Sequence, residues 1–173
     1  MKKVIGFIII TIVLALLGYL FFHISTKVEA NTKANLHIES LPNFNLLRID
    51  SSYFSNEQLS KESKTALLFF NSECDFCKNE AESILSTIEK FHNTQLLFVS
   101  DQSMNDIREF ATIHKLNQQS NITFLHDFNS LFSTQMGIQS IPTTLIYNKQ
   151  QKLIKKHVGQ ITASGILKII NKH

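Results

Sequence analysis

The feature that most restricts this chain is a short apolar run that stops just before a pair of cysteines. Thr65 to Asn71 contains Ala66, Leu67, Leu68, Phe69 and Phe70 in succession. A continuous run of this length reads as a strand buried on both faces, which requires cover above and below the sheet. Cys74 and Cys77 follow at once, and they are the only cysteines among the 173 residues. Beyond them Ala81, Ile84, Leu85, Ile88 and Phe91 recur at helical spacing, so one helix is expected from the first cysteine onward. A thiol at a helix start faces unpaired backbone N–H groups and the positive end of the helix dipole. Both favour the thiolate, the nucleophile of thiol–disulfide exchange. A second thiol three residues later lies one turn below, where it can attack a mixed disulfide formed at Cys74.

The rest of the pattern fits a mixed sheet. Phe44–Ile49 reads as a first strand and Asn56–Glu62 as a short helix or turn anchored by Leu59. Thr94–Ser100 reads as a second buried strand. Ile107, Phe110, Ala111 and Ile113 mark another helix, Ile122–His126 a short strand, and Leu131–Met136 a helical turn stopped by Gly137. Thr143–Tyr147 and Leu153–Val158 flank a polar turn and imply an antiparallel hairpin. Thr162 is placed to cap a final helix carrying Ile166, Leu167, Ile169 and Ile170. Strands alternating with helices, then a hairpin and a helix, predict an α/β fold with helices on both faces of the sheet. Pro142, just before a β-rich run, is awkward in a central strand because it lacks a ladder donor. A cis Ile141–Pro142 bond, turning the chain tightly, resolves the conflict.

The N-terminus has a different character. Val4–Phe22 carries no charge, and as a helix it rises roughly 28 Å, close to the hydrocarbon thickness of a bilayer. Residues 1–22 are therefore read as a transmembrane anchor, with a cleavable signal as the alternative. Lys2 and Lys3 favour a cytoplasmic N-terminus. Residues 23–35 form a polar tether and residues 36–173 the globular domain. Either reading of the apolar run exports that domain.

With these motifs in place, the chain resembles the thioredoxin superfamily, in particular its TlpA/ResA-like exported branch. Leu41-Pro42 with Phe44 and Leu46 is similar to the family's opening segment. Leu67–Phe70 is similar to the strand before the active site, and Cys74 and Cys77 match the redox pair. Ile138–Thr144 looks like the cis-proline loop, and His157-Val158-Gly159 resembles the end of the last strand. The resemblance implies a thioredoxin-like mixed central sheet, an attacking Cys74, a buried resolving Cys77 and a cis Pro142 packed beside them. It also implies a proton-handling role for Glu80, three residues after the second cysteine. Phe76, Ile141 and Pro142 are the expected substrate contacts. No cofactor is implied beyond the Cys74–Cys77 disulfide itself. The implied partners are exported protein disulfides and a transmembrane or extracytoplasmic dithiol donor, at the outer side of the cell membrane. The family pattern is not complete: Glu73 stands where tryptophan is usual, Phe76 where many members have proline, and Leu68 where thioredoxin has a buried aspartate.

Charge gives a direction to the chemistry. Glu73, Asp75 and Glu80 disfavour a nearby thiolate, and Lys78 alone opposes them. A poorly stabilised thiolate favours the disulfide form, so a reductant is expected rather than an oxidant. Other classes receive less support. A structural zinc site lacks its second pair of ligands. Copper-binding relatives usually carry three residues between their cysteines, and an inert disulfide would close too short a loop to add much stability. A peroxiredoxin-type cysteine would need a Pro-x-x-x-Thr-x-x segment before it, and residues 67–73 contain no proline. A copper-binding chaperone of this fold and a non-catalytic tethered interaction module remain the alternatives. With 17 Lys and Arg against 14 Asp and Glu and no basic stripe, nucleic-acid binding is not expected.

Overall fold

The computed structural model describes residue 12, residues 15–22 and residues 38–172. The chain divides between residues 36 and 37 into two units, which are taken separately. Of the first unit, residues 15–22 are helical and exposed. Among the described residues no helix is long and apolar enough to cross a membrane. Most of the expected anchor at 1–22, and all of the tether at 23–35, lie outside the described residues.

The second unit is built on a seven-stranded sheet: β1 (Asn45–Arg48), β2 (Tyr53–Ser55), β3 (Lys64–Phe69), β4 (Thr94–Ser100), β5 (Ile122–His126), β6 (Thr143–Tyr147) and β7 (Leu153–Val158). Their order is β2-β1-β5-β4-β3-β6-β7. Strands β3, β4 and β5 run parallel, with Phe69 level with Val99 and Phe98 with Phe124. Strand β6 joins β3 antiparallel, and β7 returns along β6. The apolar run identified in the sequence thus lies in the interior of the sheet, between β4 and β6.

Alternation along that run sorts the core. Ala66, Leu68 and Phe70 point into one apolar cluster, where they meet α1 (Asp75–Leu85), α2 (Met104–Ile113) and α4 (Ala163–Lys172) through Ala81, Ile84, Ile107, Phe110, Ile166 and Ile170. Leu67 and Phe69 point into the other cluster, with Ile38, Leu41, Phe44, Phe132 and Met136. Helices flank both faces, but unequally. The second face is covered by a single five-residue helix, α3 (Leu131–Gln135), together with the irregular segment 38–44.

Two local features depart from the sequence reading. The helix after the cysteines ends at Leu85, and Ile88–Phe91 forms a separate 3-10 turn. Ser86 Oγ and Thr87 Oγ1 both donate to the Ser83 carbonyl, at 2.8 and 3.1 Å. Hydroxyls that occupy the helix's own acceptor compete with its continuation. The short strand β2 follows a tight turn closed by Asp50, whose carboxylate accepts from the backbone N–H and hydroxyl of Ser52.

Candidate active site

Strand β3 delivers the chain to the end of the sheet, and a short loop turns it into α1. Asn71 shapes this loop twice. Its side chain accepts from Glu73 N–H at 2.8 Å, and its carbonyl accepts from Cys74 N–H at 3.1 Å. Gln102, just beyond β4, grips the loop from the neighbouring strand: its Oε1 accepts from Ser72 N–H at 2.6 Å and its Nε2 donates to Ser72 Oγ at 3.0 Å. Cys74 takes the N-cap position of α1 with extended backbone angles. Its carbonyl receives the N–H groups of Cys77 and Lys78. The position expected for the attacking thiol is therefore a helix start, where backbone dipoles favour an anion.

The two cysteines are free thiols in unlike surroundings: Cys74 is half-buried and Cys77 buried. Burial pushes the Cys77 thiol up to about 12, helped by its hydrogen bond to Cys74 and by the Glu80 carboxylate. Glu80 lies one turn further along α1 and is also buried. Its Oε1 accepts from Thr144 Oγ1 at 2.9 Å, while Oε2 is buried without a partner. Burial raises its carboxyl to about 7; the Thr144 hydroxyl and the Ile161 N–H, whose approach falls short of a full hydrogen bond, offset part of the rise. A void of about 10 Å³ is lined by Cys77, Glu80 and Pro142 together with Phe70 and Phe98. That is near the lower limit for one water.

The Ile141–Pro142 peptide bond is cis. Pro142 is buried beside Cys77, Ile141 is exposed, and Phe76 projects from the first turn of α1 into solvent. Of the six residues singled out from sequence, Cys77, Glu80 and Pro142 thus line one void, Cys74 and Phe76 stand at the start of α1, and Ile141 flanks the adjoining cleft. Lys78 does not supply a free positive charge to Cys74, because its Nζ is paired with Asp75 Oδ1 at 2.9 Å. Among the described residues no group of three or more His, Cys, Asp or Glu side chains is arranged to hold a metal ion. The Asn121 amide, which opens a glycosylation-like triplet, donates to the Phe91 and Thr94 carbonyls and serves the fold.

Sequence reasoning did not find Gln102, Thr144 or Lys156. Lys156 Nζ donates to the carbonyls of Gly137 at 2.7 Å and Met136 at 3.3 Å, tying β7 to the end of α3 just before the cis-proline loop. Each of these contacts joins residues too far apart in the chain for a pattern to reveal.

A redox-spaced cysteine pair at a helix start, after an interior strand of this sheet and beside a cis proline, defines the class as thioredoxin-fold thiol–disulfide oxidoreductases. The sequence model of the AhpC/TSA family matches residues 39–156, and the chain belongs to that family. A search of curated proteins finds no match. Solved structures of similar fold include StoA from Bacillus subtilis, at 22% identity and TM-score 0.61 over 76% of this chain and 98% of that one. The exposed lipoprotein thioredoxin of Streptococcus pneumoniae is similar at 22% identity and TM-score 0.60, over 76% and 100% of the two chains. A putative thiol:disulfide interchange protein DsbE from Chlorobium tepidum is similar at 18% identity and TM-score 0.65, over 78% and 94%.

Proposed function

We propose that the domain reduces disulfides of exported proteins on the outer side of the cell membrane, with Cys74 as nucleophile and Cys77 as resolving thiol. The observation that carries this reading is the difference between the two sulfurs. One is accessible at a helix start, and the other is buried, held protonated and one turn beneath it.

The Cys74 thiolate attacks one sulfur of a substrate disulfide, and the first substrate thiolate leaves. In the mixed disulfide, Cys77 gives its proton to Glu80, directly or across the small void, and attacks the Cys74 sulfur. The second substrate thiolate then leaves. The substrate has gained two electrons and the protein holds a Cys74–Cys77 disulfide. A dithiol of lower potential must return the two electrons. Burial keeps the Glu80 carboxyl near neutrality, the range in which a group can both take and return a proton. Phe76 and Ile141 flank the approach, and Pro142 closes the floor.

The reducing direction is supported by the charges around Cys74. Glu73 and Asp75 are exposed beside it, and the Lys78 ammonium is paired with Asp75. Negative charges beside the sulfur act against its anionic form and so toward the disulfide, which is the direction of a reductant. The Cys77→Ser variant is expected to accumulate mixed disulfides through Cys74, and the trapped chains report the substrates. A redox titration should place the pair well below the roughly −120 mV of a strong oxidant. A value at that level, or no trapped species under conditions that trap a control thioredoxin, contradicts the assignment.

A further inference from the structure

The exposed apolar surface of the domain is concentrated at one end. Among its described residues, seven large apolar side chains are exposed: Tyr53, Phe76, Ile113, Phe128, Leu131, Ile141 and Val158. The sheet register places six of them together. Tyr53 pairs with Leu47, Leu47 with His126, and His126 with Ser100 at the end of β4. Val158 pairs with Thr143, which is level with Phe69 at the end of β3. Phe76, Phe128, Leu131 and Ile141 stand in the connections that leave this same end. Only Ile113, at the far end of α2, lies elsewhere.

Two clefts open on this end, on either side of α3. One, of about 220 Å³, adjoins the cis-proline loop and is lined by Thr134 and Ser140 with Ser130 and Ser133, whose hydroxyls donate to Asp101 and Asp127 and can still accept. The other, of about 590 Å³, lies between α3 and β1 and is lined by Phe44, Leu46, Tyr53, Phe128, Leu131 and Phe132. The ridge between them is built with effort. Asn129 and Ser130 both adopt left-handed backbone angles, with φ of 62° and 55°. Such conformations are unfavourable for residues other than glycine and persist where the surroundings enforce them. Here Ser130 Oγ donates to Asp101 Oδ2 at 2.6 Å, and the buried Asp127 carboxylate accepts the N–H groups of Phe132 and Ser133 at 2.9 and 2.7 Å. The result holds Phe128 and Leu131 outward, at 69% and 71% exposure. Asp127 is the only carboxylate in the larger cleft, and both its oxygens are engaged by α3.

We infer that the cleft between α3 and β1 is a second docking subsite, which takes an apolar or aromatic side chain of the same polypeptide that presents its disulfide to Cys74. The inference rests on the proposed reductase reading and adds a substrate class to it: extended, apolar, incompletely folded chains. The subsite is continuous with the redox end of the sheet. Its one carboxylate is already engaged by α3, and the rest of its polar lining, Tyr53 apart, is His126 and the amides of Asn43, Asn45 and Gln135, so a charged occupant finds no free carboxylate, ammonium or guanidinium there. The intervening hydroxyl cleft can satisfy the backbone of a crossing strand. Strand β1 lies three positions from β3, a lateral distance of roughly 14 Å, which an extended chain spans in roughly four to six residues.

The test uses peptides with one disulfide and either Leu or Ser placed five residues from the attacked cysteine, reduced by the full chain with a dithiol donor. The wild type is expected to show a kcat/KM roughly tenfold higher for the Leu peptide, the effect of burying one such side chain. Leu131→Ser and Phe128→Ser, tested separately, are expected to bring that ratio close to one. Ile113→Ser, an equally exposed site at the opposite end, is expected to retain it. Equal reduction of both peptides by the wild type overturns the subsite and leaves the reductase reading intact. No reduction of either peptide counts against the reductase reading itself. If the ratio is one and Leu131→Ser also dissolves a dimer of the wild type, the cleft belongs to a second copy and the inference fails.

Discussion

At the scale of single residues, the chemistry depends on one buried acid. Glu80 is held at about 7 against a usual value of 4.5, and the main cause is burial. The folded protein therefore binds a proton that the unfolded chain has already released between these two values. Stability attributable to this group is unaffected below about pH 4.5, falls as the pH rises toward 7, and levels off above it. Glu80→Gln removes the titration while keeping the shape. Its unfolding free energy should drop less than that of the wild type between pH 4.5 and 8, with a difference on the order of 3 kcal/mol. Urea unfolding at several pH values measures this, and parallel curves would show that Glu80 is not the group responsible. Thr144→Val acts in the opposite sense. It deletes a hydrogen bond that lowers the Glu80 carboxyl, so the neutral-range inflection of the single-turnover rate should move to higher pH. In Glu80→Gln that inflection should vanish.

At the scale of elements, the active-site loop relies on a clamp from the adjacent strand. Gln102 holds Ser72 through two hydrogen bonds, and Ser72 lies two residues before Cys74. Gln102→Ala is expected to cost about 1 kcal/mol in stability per lost bond at most. It should also slow attack by Cys74, because a looser loop spreads the sulfur over more positions. Stopped-flow reduction of a small disulfide checks the second effect; an unchanged rate with reduced stability makes the clamp purely structural. Much of this element-level order is legible in the sequence because it is local. The run Ala66–Phe70 followed by Cys74 and Cys77 defines strand, loop and helix start within a dozen residues. Thr162 marks the start of α4, where its Oγ1 accepts from Gly165 N–H. What is not legible depends on partners distant in the chain. Gln102 reaches back thirty residues to Ser72, Glu80 meets Thr144 sixty-four residues on, and Lys156 caps a helix on another layer. The break after Leu85 is hidden for a different reason. Ile88 and Phe91 keep the helical spacing, and only the hydroxyls of Ser86 and Thr87 give the interruption away. The unequal cover of the two faces is likewise invisible, since segment 38–44 packs like a helix without any helical period.

At the scale of the whole molecule, that irregular segment does the work of a missing helix. Ile38, Leu41 and Phe44 are all buried against the face that α3 covers only in part. The Phe44 ring packs on Phe132 of α3 and on Phe54 of β2, at centroid distances of 5.3 and 6.1 Å. The Tyr147 hydroxyl donates to the Ile38 carbonyl at 3.2 Å. Backbone bonds from Leu41 to Gln151 and from Leu153 to Glu39 seal the start of the edge strand β7. Removing these three side chains from the core would cost about 1.5–3 kcal/mol each and roughly 5–8 kcal/mol together. A whole domain is stable by only about 5–15 kcal/mol. Two truncations should therefore behave very differently. A chain starting at residue 37 keeps every contact just named, and it is expected to unfold cooperatively and to reduce a small disulfide as the full chain does. A chain starting at residue 45 loses the second face of the core, exposes the β7 edge and leaves α3 without its aromatic support. It should be largely unfolded at 25 °C, or should melt far below the longer fragment in circular dichroism. If both fragments melt alike, the cover over the second face is supplied by something other than residues 38–44, and the division of the core between two unequal layers is wrong.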